Sequence, residues 1–203
     1  MASAGTFRLA AIADLHCRQE QHGRFRELVK MVNGEAKVQV LDGDHAVFDR
    51  RLGIAGVKGF AGGFEHGMLQ AFGEPAVKAF VQEAVNEALK LEAALAQLDY
   101  ARRVVIMHYA PVAATTDGER VEIRPFLGTT RLVAPCEAFG ADAIFHGHAH
   151  HGAPEAMTPK GIPVYNVAMP VLKRVYDRKF RIVEVGERDA EEPRPETIPA
   201  PMH

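Results

Sequence analysis

Four of the chain's ten histidines fall in six positions, in the stretch Ile144-Phe145-His146-Gly147-His148-Ala149-His150-His151. The apolar run from Ala141 to Phe145 delivers them, and a run of that length reads as a short buried strand. Imidazoles packed this densely at a strand end make poor core, because each ring needs a partner for at least one nitrogen. Neutral imidazole is also a common metal ligand. In extended backbone His148 and His150 project to the same side, and Gly147 lets the chain turn sharply before them. A purification tag would sit at a terminus without the glycine or the preceding strand. The two readings of the cluster are therefore a metal site and a polar loop of surface histidines.

Two more strand ends carry residues of the same kind. Phe7 to Ala13 is an apolar run, expected to be a strand buried on both faces, and it ends in Asp14-Leu15-His16. Arg103 to Met107 is a further strand and ends in His108-Tyr109-Ala110-Pro111. In open α/β sheets ligands bind at the carboxyl ends of the strands. Taken alone, Asp14 reads as a turn or cap residue and His108 as a hydrogen-bonded core histidine. Three such ends in one chain favour metal.

The rest of the pattern is alternating strand and helix. Arg24 to Val32 has helical spacing and stops at Asn33-Gly34. Lys37 to Leu41 is a strand that leads into Asp42-Gly43-Asp44-His45. Ile54 to Val57 is a short strand before a glycine-rich loop, Gly59 to Phe64, which lacks the Lys-Ser or Lys-Thr of a phosphate-cradling loop. Pro75 opens a long helix to about Leu98 with one apolar stripe. Thr115 to Gly128 reads as a loop and Arg131 to Phe139 as a short helix. Ile162 to Val167 and Phe180 to Val185 read as strands joined through Met169-Pro170.

With 203 residues and 47% hydrophobic content, one domain over 1–186 is expected. The proline- and charge-rich tail, 187–203, should stay disordered. A net charge of −2 gives no reason to expect a nucleic-acid or anionic-membrane partner. No run has the length of a membrane span, and the N-terminus lacks the marks of a signal peptide. Cys17 and Cys136 form no metal or redox motif, so a cytoplasmic protein is expected.

Asp14, His16, His108, His148 and His150 mix carboxylate with imidazole, a donor set that suits Mn, Fe or Zn better than Mg or Ca. Five donors exceed what one tetrahedral zinc takes, and two ions roughly 3.5–4 Å apart account for the count better. Such a pair can clamp a phosphoryl group and activate a water.

The motifs Asp14-Leu15-His16, Gly43-Asp44, His108 and Gly147-His148-Ala149-His150 resemble, in order, the D-x-H, G-D, H and G-H-x-H motifs of the calcineurin-like metallophosphoesterases. The resemblance spans about residues 7 to 170. It implies a four-layer α/β/β/α sandwich, truncated here, that hydrolyses a small phosphomonoester or phosphodiester. It implies two divalent transition metals, with Asp14, His16 and His150 on one and His108 and His148 on the other. Asp44 is the only position offered for the bridging aspartate. The family's G-N-H-[D/E] motif is absent, since the only asparagines are Asn33, Asn86 and Asn166. His45 and His66 are the stand-ins available for its histidine, with surface exposure the alternative for each. Asp42-Gly43-Asp44 can also be a hairpin turn, in which case Asp44 binds nothing. The competing function is a metal-binding homologue that no longer turns over.

Overall fold

The computed structural model describes residues 6–15, 41–100 and 102–186. The helix expected over 24–32, most of the strand expected over 37–41, His16, Cys17 and the tail 187–203 lie outside the described residues.

A six-stranded mixed sheet forms the centre. Its strands are β2 (Asp44–Phe48), β3 (Leu52–Val57), β4 (Arg102–Met107), β5 (Ala143–His146), β6 (Glu155–Met157) and β7 (Pro163–Asn166), in spatial order β2-β3-β4-β5-β7-β6. The four inner strands run parallel, and the two edge strands β2 and β6 are antiparallel to their neighbours. A separate antiparallel pair joins β1 (Phe7–Ala11) to β8 (Arg181–Val185). Two contacts tie that pair to the main sheet: the Ala13 N–H donates to the Val167 carbonyl at 2.8 Å, and the Met169 N–H donates to the Ala13 carbonyl at 3.0 Å. The fold is α/β.

Alternation along the inner strands sorts the core into two faces. On one, Ala55, Val57, Val105, Met107 and Ile144 meet α1 (Pro75–Ala96) and α2 (Val133–Ala138) through Leu91, Leu95, Leu132, Val133 and Cys136. On the other, Val104, Ala143, Phe145 and Val167 meet Leu9, Val183, Val185 and Leu172 of α3 (Met169–Tyr176). Each of these large side chains, once buried, stabilises the fold by roughly 1.5–3 kcal/mol. Cys136 is wholly buried, donates to the Leu132 carbonyl at 3.2 Å, and has its thiol pushed well above the ordinary range by desolvation.

Several elements differ from expectation. Strand β1 is not buried on both faces: Arg8 and Ala10 are exposed, because only the Phe7-Leu9-Ala11 side meets the main sheet. The segment around Met169-Pro170 is a helix, not a linker, since proline is acceptable in the first helical turn. Strand β6 is three residues long, too short to leave a period-two pattern. Asp42 and Gly43 form a bend just ahead of β2, with Gly43 at a positive φ of 78°, and the strand expected before them lies almost wholly outside the described residues. The β2–β3 hairpin turns at Asp49 and Arg50, both with positive φ, while Asp44 opens β2 opposite Gly56.

Candidate metal centre

Asp14, His108 and the histidine loop come together where β1, β4 and β5 end. Asp14 has a positive φ of 56° and a side chain only 2% exposed. Its carboxylate is a hub. One oxygen, Oδ2, accepts the His148 backbone N–H at 2.7 Å. The other, Oδ1, lies 3.6 Å from His150 Nε2 and 3.7 Å from His108 Nδ1. Metal–nitrogen and metal–oxygen bonds of about 2.0–2.2 Å put tetrahedral donors about 3.4 Å apart, so both separations sit close to what a shared ion needs. The imidazoles are accessible, with His108 43% and His150 33% exposed, while the carboxylate they face is buried.

His148 occupies the same corner in a different way. Its backbone is left-handed, φ 67°, held there by the bond to Asp14. Its ring packs against His108, centroids 4.7 Å apart, and against Tyr109 at 4.8 Å. Gly147 must be glycine, because a Cβ there would run into the Asp14 carboxylate and Ala13. Among the described residues no three His, Cys, Asp or Glu side chains already stand as a closed metal-binding group. What is present is two carboxylate–imidazole pairs sharing Asp14, with His148 alongside. His16, the remaining expected ligand, lies outside the described residues.

Asp44 is not brought to this group. Its side chain is 68% exposed on the edge strand, and its nearest polar contacts are to its own neighbour His45. His45, on β2, has a buried Nδ1 that makes no hydrogen bond among the described residues and lies 3.6 Å from Asp44 Oδ1. His66 is exposed in a short 3₁₀ turn, Glu65–Gly67. In the same segment as Asp44, Asp42 accepts the Lys58 N–H at 3.2 Å and stands 3.9 Å from Lys90 Nζ.

Three features of the centre carry roles that the sequence did not assign. The first is His146, fully buried directly beneath the loop. Its Nδ1 is 2.8 Å from the Gly147 carbonyl, which can only accept, so Nδ1 carries the proton. Its Nε2 is then a buried lone pair with no partner among the described residues. Desolvation lowers the pKa of this imidazole from 6.5 to about 4. The second is Glu87, completely buried in the apolar stripe of α1. It accepts the Gly59 N–H at 2.8 Å and pairs with Lys90 at 2.7 Å. The adjacent Lys58 carbonyl accepts the His108 N–H at 3.0 Å, so Glu87 steadies the backbone on which His108 hangs. The Glu83 carboxylate, 3.1 Å away, holds the Lys58 ammonium above its ordinary value. The third is a ring of polar groups around residues 149–152. The Ala149 carbonyl accepts from Asn166 Nδ2 at 2.8 Å, and the His151 N–H donates to Glu119 at 2.7 Å.

No helix among the described residues is long and apolar enough to cross a membrane. No protein-family model matches the chain, and no curated protein matches it. A solved crystal structure of a protein without a stated function is 15% identical, the match covering 80% of this chain and 60% of that one at a TM-score of 0.40. This chain therefore spans about 60% of the length of that one, and a likeness so slight carries no argument about function.

Proposed function

We propose that this chain is a metal-dependent phosphoester hydrolase of the calcineurin-like metallophosphoesterase type, built on the truncated four-layer sandwich and working at low turnover. The observation that carries the reading is the Asp14 carboxylate, buried and within 3.7 Å of imidazoles from two other strand ends. Asp14, His108 and His150 would hold a divalent transition ion such as Mn, Fe or Zn, and His16 would complete the set by the family resemblance. When bound, the ion supplies a Lewis acid and lowers the pKa of a water to make a nucleophile. The chain's own contribution is orientation. Asp14 fixes the His148 turn and faces both histidines at once, and the Lys58 carbonyl fixes the backbone of His108.

The second metal is the weak half. His148 is its remaining ligand of the resemblance once His108 turns to Asp14, and Asp44 is exposed on β2, three places along the sheet from the strand that leads into His148. His45 stands on β2 and His66 in an exposed 3₁₀ turn, so among the described residues neither candidate for the missing general acid sits in the loop around Asp14. General-acid assistance is worth about 10²–10⁴-fold, and turnover is expected to fall by that order. The same observations favour a second reading, a protein that binds metal without turning over.

The test is hydrolysis of p-nitrophenyl phosphate and bis-p-nitrophenyl phosphate by chelator-stripped protein reloaded with Mn²⁺. Expected is slow hydrolysis, well below the ordinary enzyme value on the order of 10 s⁻¹, lost in His150→Ala. Metal uptake without hydrolysis selects the second reading. Failure to take up Mn²⁺ or Zn²⁺ at all removes both.

A further inference from the structure

The turn that carries His150 is held by an arginine that lies outside every motif of the resemblance. We infer that Arg174, on the last turn of α3, is a positioning residue for His150, holding its ligating side chain ready for a divalent transition ion. The inference rests on the metal reading above.

The guanidinium spans three consecutive carbonyls. Nη1 donates to the His150 carbonyl at 2.9 Å, and Nη2 donates to those of His151 at 3.2 Å and Gly152 at 2.6 Å. These carbonyls belong to a turn between β5 and β6 that makes no strand pairing of its own. Arginine's planar fork suits the task, since several N–H groups in fixed relation reach several acceptors at once, and a lysine ammonium cannot reproduce that geometry. Asn166 holds the preceding carbonyl, and Glu119 holds the His151 N–H. Arg174 reaches the backbone of His150 itself.

The consequence is preorganisation. His150 Nε2 must stay about one tetrahedral edge from Asp14 Oδ1, where it stands at 3.6 Å. Without the fork, three carbonyls turn to water and the turn gains freedom. Ion binding must then fix that freedom again, which lowers affinity. Groups that orient metal ligands typically contribute 10–100-fold to affinity. Arg174 is itself largely exposed, so its removal leaves the core intact.

The experiment is Zn²⁺ and Mn²⁺ titration by competition with a fluorescent chelator. It uses the full chain, Arg174→Lys, Arg174→Ala, His150→Ala and the double variant His150→Ala/Arg174→Ala. Thermal unfolding of the metal-free forms is followed in parallel. Expected is a loss of affinity of about 10–100-fold in Arg174→Ala, with only partial recovery in Arg174→Lys. In the double variant, Arg174→Ala should add nothing to His150→Ala, because a group that acts through His150 has no effect once His150 is gone. Unchanged affinity in both arginine variants overturns the inference and leaves the metal reading standing. So do losses that add fully in the double variant. A parent chain that binds neither ion overturns both.

Discussion

Two acidic segments flank the parallel strands of this sheet, and they are held in opposite ways. Asp14 is buried, left-handed in its backbone, bonded to the His148 N–H, and faced by two imidazoles. Asp44 opens an edge strand, mostly exposed, and among the described residues its side chain bonds to the residue beside it. The residues around Asp14 are fixed by partners far away in sequence: Gly147 to His108, Ala149 to Asn166, His151 to Glu119, and residues 150–152 to Arg174. Beside Asp44, Asp42 contacts Lys90 on α1 and the backbone of Lys58 just after β3. A position can match a motif letter by letter and still lack the surroundings that make it a ligand. Burial and long-range bracing separate the two aspartates where residue type does not.

The largest effect should come from Asp14. Asp14→Asn keeps the shape and an acceptor for the His148 N–H but removes the charge that faces His108 and His150. Affinity for Zn²⁺ or Mn²⁺ should fall by more than about 100-fold, beyond what outer-shell changes typically cost. Titration showing a loss under tenfold would mean that Asp14 is a structural cap, and the comparison between the two aspartates would collapse.

Next comes His146, the buried base of the loop. Above pH 7 its imidazole is neutral whether the chain is folded or unfolded, and it contributes no pH dependence. As pH falls through 6.5 the unfolded chain takes up a proton that the folded chain refuses until about pH 4. Stability therefore drops across that window, by on the order of 3 kcal/mol. In metal-free protein, urea unfolding from pH 7 to pH 4 should show this drop, and His146→Gln should flatten it. An equal slope in both proteins would place the acid sensitivity elsewhere.

Gly147→Ala should cost about 1–3 kcal/mol, the usual range for overpacking. Its new Cβ meets the Asp14 carboxylate and the Ala13 Cβ, closer than real Cβ contacts allow, so one of them must shift. Gly67→Ala is the control, with nothing within 4 Å of the added carbon. Thermal unfolding should separate the two variants, and similar melting temperatures would show the Asp14 corner to be loose.

The strand ends at Asp14, His108 and His148 were legible because an apolar run followed by a ligand-type residue is a local pattern. So was the long helix, whose stripe repeats over six turns. What was not legible is nonlocal. Glu87 interrupts that stripe with a charge, and nothing nearby in sequence says that its partner is the Gly59 N–H, 28 residues back. Arg174 lies 22–24 residues from the carbonyls it holds. His146 reads like its three neighbours, yet alternation along β5 sends it inward with Ile144, onto the helix-covered side of the sheet. The turn at Asp49-Arg50 that joins β2 to β3 was not legible, because these two are not a usual hairpin-turn pair such as Asn-Gly or Asp-Gly.

The smallest effect tests the other half of the comparison. Asp44→Asn removes a charge whose polar contacts are the His45 N–H at 2.7 Å and the His45 ring at 3.6 Å. Asparagine can accept the same backbone hydrogen bond, and substitutions on exposed surface usually change stability by less than about 0.5 kcal/mol. Metal affinity should match the parent chain within a factor of two or so, since a charge this exposed is well screened by solvent and salt. The measurement that matters is a two-site titration at rising Mn²⁺. If the parent shows a second, weaker ion that Asp44→Asn abolishes, then β2 swings Asp44 inward when metal is present, and the two aspartates are one bridged site after all. If the titrations superimpose, Asp44 is a surface residue of the β2 edge, and the centre ends at Asp14 and its histidines.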